Sequence, residues 1–197
     1  MKRIVCFGDS NTFGHNPVDG SRLPRDQRWT GILSELLGEE YEIIEEGLCG
    51  RTTVRECPES PWVSGLPYLT PCVLSHQPFD LLILMLGTND LQVPFQAIPL
   101  TVARGAEALV HQFLSLDWPP ENRPKLLLVS PIHIGDVSVN PVFGPLFGYE
   151  RASNYSRELA PYYKEIADRL GCEFFDAASG AAPSPVAGLP LAPPGHE

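Results

Sequence analysis

Residues 80–86, Asp-Leu-Leu-Ile-Leu-Met-Leu, constrain this chain more than any other segment. After the entry Asp, the run is apolar without a break and stops at Gly87. A strand with one wet face alternates polar and apolar residues, and this one does not. It reads as a central parallel strand covered on both faces. Residues 2–7, 42–46, 125–129 and 173–176 give four more short strands. Between them lie helical patterns at residues 29–37, 101–116 and 155–170, the first and last followed by Gly38 and Gly171 as C-caps. Strands alternating with helices predict a parallel sheet with helices on both faces. With right-handed crossovers, the expected fold is a three-layer α/β/α sandwich around a mainly parallel central sheet.

The 197 residues suit one domain, expected over residues 1–176. Residues 177–197 change to Ala, Pro and Gly. Pro183, Pro185, Pro190, Pro193 and Pro194 forbid a continuous helix there, so an extended or disordered tail is expected. Residues 57–71 and 134–148 are irregular, rich in Pro, Gly and Ser or Phe. Pocket walls and ordinary surface loops fit them equally.

The net charge of −10 argues against nucleic acid or an anionic membrane surface as partner. No stretch is apolar enough to cross a bilayer. The N-terminus reads as a strand, not a signal peptide. Five cysteines, an odd number without a Cys-x-x-Cys pair, suggest free thiols in a reducing cytoplasm. No histidine spacing suggests a metal site, and no metal or other cofactor is expected.

The chemistry concentrates where three strands end. Phe7-Gly8-Asp9-Ser10-Asn11-Thr12 follows the first, Gly47-Leu48-Cys49-Gly50-Arg51-Thr52-Thr53 the second, and Gly87-Thr88-Asn89-Asp90 the third. In an open parallel sheet, ligands sit at the carboxyl ends of the strands. Alone, Gly-Asp-Ser is weak evidence, because Ser and Asp are good turn and cap residues. Three strand ends carrying Ser, Gly and Asn in order are not.

Together these segments resemble the first three sequence blocks of the Ser-Gly-Asn-His (GDSL) hydrolases, which have a flavodoxin-like fold. The resemblance runs from Lys2 to about Val186. Arg28-Trp29-Thr30-Gly31, Glu45-Glu46-Gly47-Leu48 and residues 85–90 look like the arylesterase and acyltransferase branch, of mycobacterial type. The resemblance implies Ser10 as nucleophile, with the Ser10 and Gly50 backbone N–H groups and the Asn89 amide as oxyanion donors. It implies a small acyl ester as substrate, water or an alcohol as acceptor, and a homo-oligomer. Gly50, lacking Cβ, is expected to let the backbone approach closely, and Arg51 to steady that loop.

Asp9, Trp62, His133 and Phe147 are assigned to the substrate pocket. Asp9 adjoins the nucleophile, too near to orient a distant His, and is expected to fix the turn, as is Asp90. Trp62, Tyr68, Phe143 and Phe147 fit an apolar pocket and plain packing alike. His15, five residues past Ser10, is expected to line the pocket without standing as the base.

The family's Asp-x-x-His segment follows the last strand. Here Ala187 stands in the Asp position and Pro190 in the His position. A serine hydroxyl is a weak nucleophile without a base in reach. His196 is the candidate surrogate. Three readings follow: an impaired ester hydrolase, a non-catalytic ester-binding or oligomerising member, and an altered copy of an active enzyme.

Overall fold

The computed structural model describes residues 1–138 and 140–181. Its centre is a five-stranded sheet in the order β2-β1-β3-β4-β5, all neighbours parallel. The strands are β1 (Lys2–Gly8), β2 (Tyr41–Gly47), β3 (Leu81–Met85), β4 (Lys125–Ser130) and β5 (Glu173–Asp176). The apolar run at residues 80–86 occupies the middle of the sheet, and Leu82 and Leu84 are almost inaccessible. The helices are α1 (Ser10–Phe13), α2 (Trp29–Leu37), α3 (Gly65–Ser75), α4 (Pro99–Leu114), α5 (Phe143–Phe147), α6 (Glu150–Ser156) and α7 (Leu159–Leu170).

The two sheet faces are buried unequally. Val5, Phe7, Leu82, Leu84 and Leu128 point into the larger core, against Leu69 and Val73 of α3, Leu109 and Phe113 of α4, and Tyr163 and Ile166 of α7. Ile4, Cys6, Ile43, Ile83 and Met85 alternate with them toward the other face. There Trp29, Leu33 and Leu37 of α2 pack beside Ala177.

Three expectations need correction. The helix expected over 155–170 is two helices, α6 and α7, broken at Arg157 and Glu158. Pro161 lies in the first turn of α7, where its missing N–H costs nothing; inside one longer helix it would lose a hydrogen bond and clash with the preceding turn. Residues 57–71 are not irregular throughout, because α3 begins at Gly65 despite Pro71 in its interior. Burial of Leu69, Cys72 and Val73 against the sheet overrides the local preference. Likewise α5 lies inside residues 134–148. After β5 the chain forms a 3-10 turn over Ala177–Ser179, capped by the Asp176 carboxylate, so order continues past residue 176. Ala187, Pro190 and His196 lie outside the described residues.

Candidate active site

Strand register brings the three segments level. Gly8 pairs with Gly47 on one side and with Met85 on the other. The chain leaves β1 toward β2 on one side, while β3 lies on the other, so this is the point where the strand order reverses and crevices form. Gly47 is required by contact: a Cβ there would meet the Phe13 nitrogen at 2.2 Å. That packing sets α1 directly over the end of β2.

Ser10 opens α1, and Asp9 caps it by accepting a hydrogen bond from the Asn11 N–H at 2.9 Å. Asp9 is fully buried rather than on a pocket wall, which corrects its assignment to the substrate contact surface. Burial raises its carboxyl to about 6, against the opposing pull of the Asn11 N–H and the Arg51 charge.

Gly50 lies at φ +80°. A Cβ there would meet only Val63 Cγ1, at 3.7 Å, so within the chain the backbone angle and not crowding calls for glycine. Asn89 donates from Nδ2 to the Arg51 carbonyl at 3.0 Å and accepts from Gln92 Nε2 at 3.2 Å. An amide nitrogen has two hydrogens, so one of the Asn89 pair is left for another acceptor. The Arg51 guanidinium donates to the carbonyls of Gly8, at 3.0 Å, and of Glu46. It lies over the rings of Phe7 at 4.3 Å and Tyr68 at 5.2 Å. Asp90 is inaccessible, and its two oxygens accept from the Thr53 N–H at 2.9 Å and hydroxyl at 2.5 Å. Burial raises its carboxyl to about 6, opposed by those two bonds. Arg51 and Asp90 thus join all three strand ends.

A cavity of about 260 Å³ opens here, with Ser10, Gly50, Thr88 and Asn89 on its lining. His15, Cys49 and Gln92 flank them, and Phe143, Leu146 and Phe147 form an apolar wall. Among the described residues this lining holds one histidine, His15, and no carboxylate. Trp62 is not part of it. The Thr52 N–H bonds the Val63 carbonyl, and the Gly65 N–H bonds the Thr52 carbonyl. This turns Val63 and Ser64 inward and leaves Trp62 63% exposed. Tyr68 stacks on Phe7 instead, ring centroids 6.2 Å apart. His133 does not line the cavity either; it sits half-buried between Ile132 and Ile134, each anchored in a different core. Cys49, Thr88 and Gln92 were not singled out, though the first two adjoin Gly50 and Asn89. A larger hollow of about 540 Å³ lies at the amino ends of the strands, away from Ser10.

The model of the GDSL-like lipase/acylhydrolase family matches residues 6–195. The chain belongs to this family. The native aryl esterase of M. smegmatis is similar at 39% identity with a TM-score of 0.92, over 100% of this chain and 93% of that one. A carbohydrate acetylesterase from Sinorhizobium meliloti is similar at 37% identity and 0.92, with the same coverage. An uncharacterized lipoprotein of Bacillus subtilis is 31% identical over 134 residues, which is 68% of this chain. The chain spans about half the length of that curated relative. Among the described residues, no helix is long and apolar enough to cross a membrane.

Proposed function

We propose that this chain is a serine hydrolase of short-chain carboxylic esters, working through an acyl-Ser10 intermediate. What supports this most is the convergence of Ser10, Gly50 and Asn89 on one cavity. The Ser10 Oγ attacks the ester carbonyl carbon, and its proton leaves to a base. The carbonyl oxygen becomes an oxyanion, held by the Ser10 and Gly50 N–H groups and by the free Asn89 N–H. Collapse expels the alcohol, which takes up a proton. Water then attacks the acyl-serine, releasing the acid and restoring the hydroxyl. A cavity of about 260 Å³ favours a small acyl group. Phe143, Leu146 and Phe147 favour an apolar alcohol as alternative acceptor, giving acyl transfer. The aryl esterase and acetylesterase likenesses agree with such substrates.

Turnover is impaired by Ala187 and Pro190. Without a base, about 10³–10⁴-fold catalysis over water is what an oxyanion hole and binding supply. His15 on the cavity lining and His196 in the tail are the histidines available as surrogates. The same two substitutions favour a second reading, an ester-binding member without turnover. Homo-oligomerisation and cytoplasmic residence belong to the proposal under either reading, the latter supported by five free cysteines among the described residues.

The test is p-nitrophenyl acetate hydrolysis by this chain beside Ser10→Ala at mildly alkaline pH. A Ser10-dependent rate, lowered further by His15→Ala or His196→Ala, supports the enzyme and names its base. Equal rates for parent and Ser10→Ala, with saturable binding of the ester, leave the binding reading.

A further inference from the structure

At the edge of the larger core, where Cys72 is buried, lies a cluster that the ester chemistry does not use. Glu46 is the last residue but one of β2, Cys72 lies inside α3, and His76 is the C-cap of α3. One ligand atom from each of the three lies within 4.8 Å of the others. His76 Nε2 is 2.6 Å from Glu46 Oε1, and the Tyr68 hydroxyl reaches Glu46 Oε2 at 3.2 Å. Cys72 and His76 are four residues apart on one helix, so they present to the same side. Cys72 is closed to solvent, while the His76 and Glu46 side chains stay partly open and leave an entry path.

We propose that Glu46, Cys72 and His76 bind a thiophilic divalent cation such as Zn²⁺. Thiolate, imidazole and carboxylate are its usual ligands, at bond lengths of about 2.0–2.3 Å. Tetrahedral bonds of that length hold ligand atoms about 3.3–3.7 Å apart, so a pair near 4.8 Å closes by about an ångström while the His76–Glu46 pair, at 2.6 Å, opens by somewhat less. The fourth position of the tetrahedron faces the partly open edge and takes water. On binding, the Cys72 thiol gives its proton to solvent, and His76 ligates as the neutral ring. The carboxylate and thiolate then balance the ion's two charges. Two influences oppose binding: burial, which with the Glu46 charge pushes the Cys72 thiol up to about 12, and the positive charge of Arg51. Its guanidinium is nearby but already engaged with the Gly8 and Glu46 carbonyls and two aromatic faces. The Glu46 carboxylate is therefore not consumed by a short ion pair with it. Sequence spacing hid this site, because Glu46 lies far upstream of the helix that carries the other two ligands.

Co²⁺ titrated into the reduced full-length protein reads the site directly. The expected result is saturation at one equivalent with a thiolate-to-cobalt charge-transfer band, bleached by added Zn²⁺. The band disappears in Cys72→Ser. In His76→Ala, a change at a partly exposed residue that leaves the core intact, Co²⁺ affinity falls by at least roughly tenfold, since losing even an outer-shell partner of a ligand costs that much. Absence of a charge-transfer band in the parent overturns the proposal. So does a band that survives in a folded Cys72→Ser, which would assign it to another cysteine, or an unchanged affinity in His76→Ala.

Discussion

Gly50 adopts φ +80°, a left-handed backbone that any L side chain resists. Gly50→Ala is expected to cost about 1–2 kcal/mol of stability, read as a lower denaturant midpoint with an unchanged slope. Asn89 supplies a donor, and Asn89→Ala is expected to lower Ser10-dependent ester turnover by about 10²–10³-fold. An equal turnover in parent and variant would remove Asn89 from the oxyanion hole. Asp90 carries a pH dependence of its own. Its carboxyl is raised to about 6 by burial, from an ordinary 3.8. The native state therefore holds that proton more tightly than the unfolded chain does. Its contribution to stability is full below about pH 4 and is lost as the pH rises through about 6. Thermal melts of parent and Asp90→Asn at several pH values check this. The variant loses one of the two acceptors for Thr53 at every pH, but its deficit should shrink from acid toward neutral pH. A constant deficit would mean that Asp90 titrates normally.

Between elements, the contact of α7 with the end of β3 holds the Asn89 turn in place. Tyr163 is inaccessible and donates its hydroxyl to the Leu86 carbonyl at 2.8 Å. Gly87 follows at φ +131°, where a Cβ would lie 2.4 Å from that hydroxyl. Tyr163→Phe leaves the Leu86 carbonyl buried without this donor and is expected to destabilise the fold by about 1–3 kcal/mol. Chemical denaturation measures it; a change under the error of the fit would show that another donor takes over. Pro161 signals a helix start near α7 in the sequence, since proline is tolerated in a first turn and not inside a longer helix. The helix α3 was harder to see. Pro71 argues against it locally, and only the sheet face it covers explains why it forms.

For the molecule as a whole, the proposed reaction makes competence at Ser10 a question of the residues at positions 187 and 190. Replacing Ala187 by Asp and Pro190 by His should raise Ser10-dependent hydrolysis of p-nitrophenyl acetate on the order of 10²-fold or more, the usual worth of a general base. No gain from the double substitution would mean that these positions do not reach the cavity. The strand ends behind that cavity were legible early. Continuous apolar runs at residues 2–7 and 80–86 demand a doubly covered parallel sheet, and glycine-bearing turns after three strands mark where its crevice opens. This pattern marks only the place of the crevice; Ser10, Gly50 and Asn89 are named through the resemblance of the three strand-end segments to the Ser-Gly-Asn-His hydrolases. Side chains farther from a strand end had no such guide. Whether Trp62 or Phe147 faced the cavity depended on which neighbour was pulled inward: the Thr52–Val63–Ser64 bonding turned Trp62 out, and α5 carried Phe147 in. The burial that raises Asp9 and Asp90, and the meeting of Glu46 with Cys72 and His76, likewise arise from packing between distant segments. Local composition encodes backbone period and turn chemistry, whereas burial and through-space contact exist only once the layers have closed.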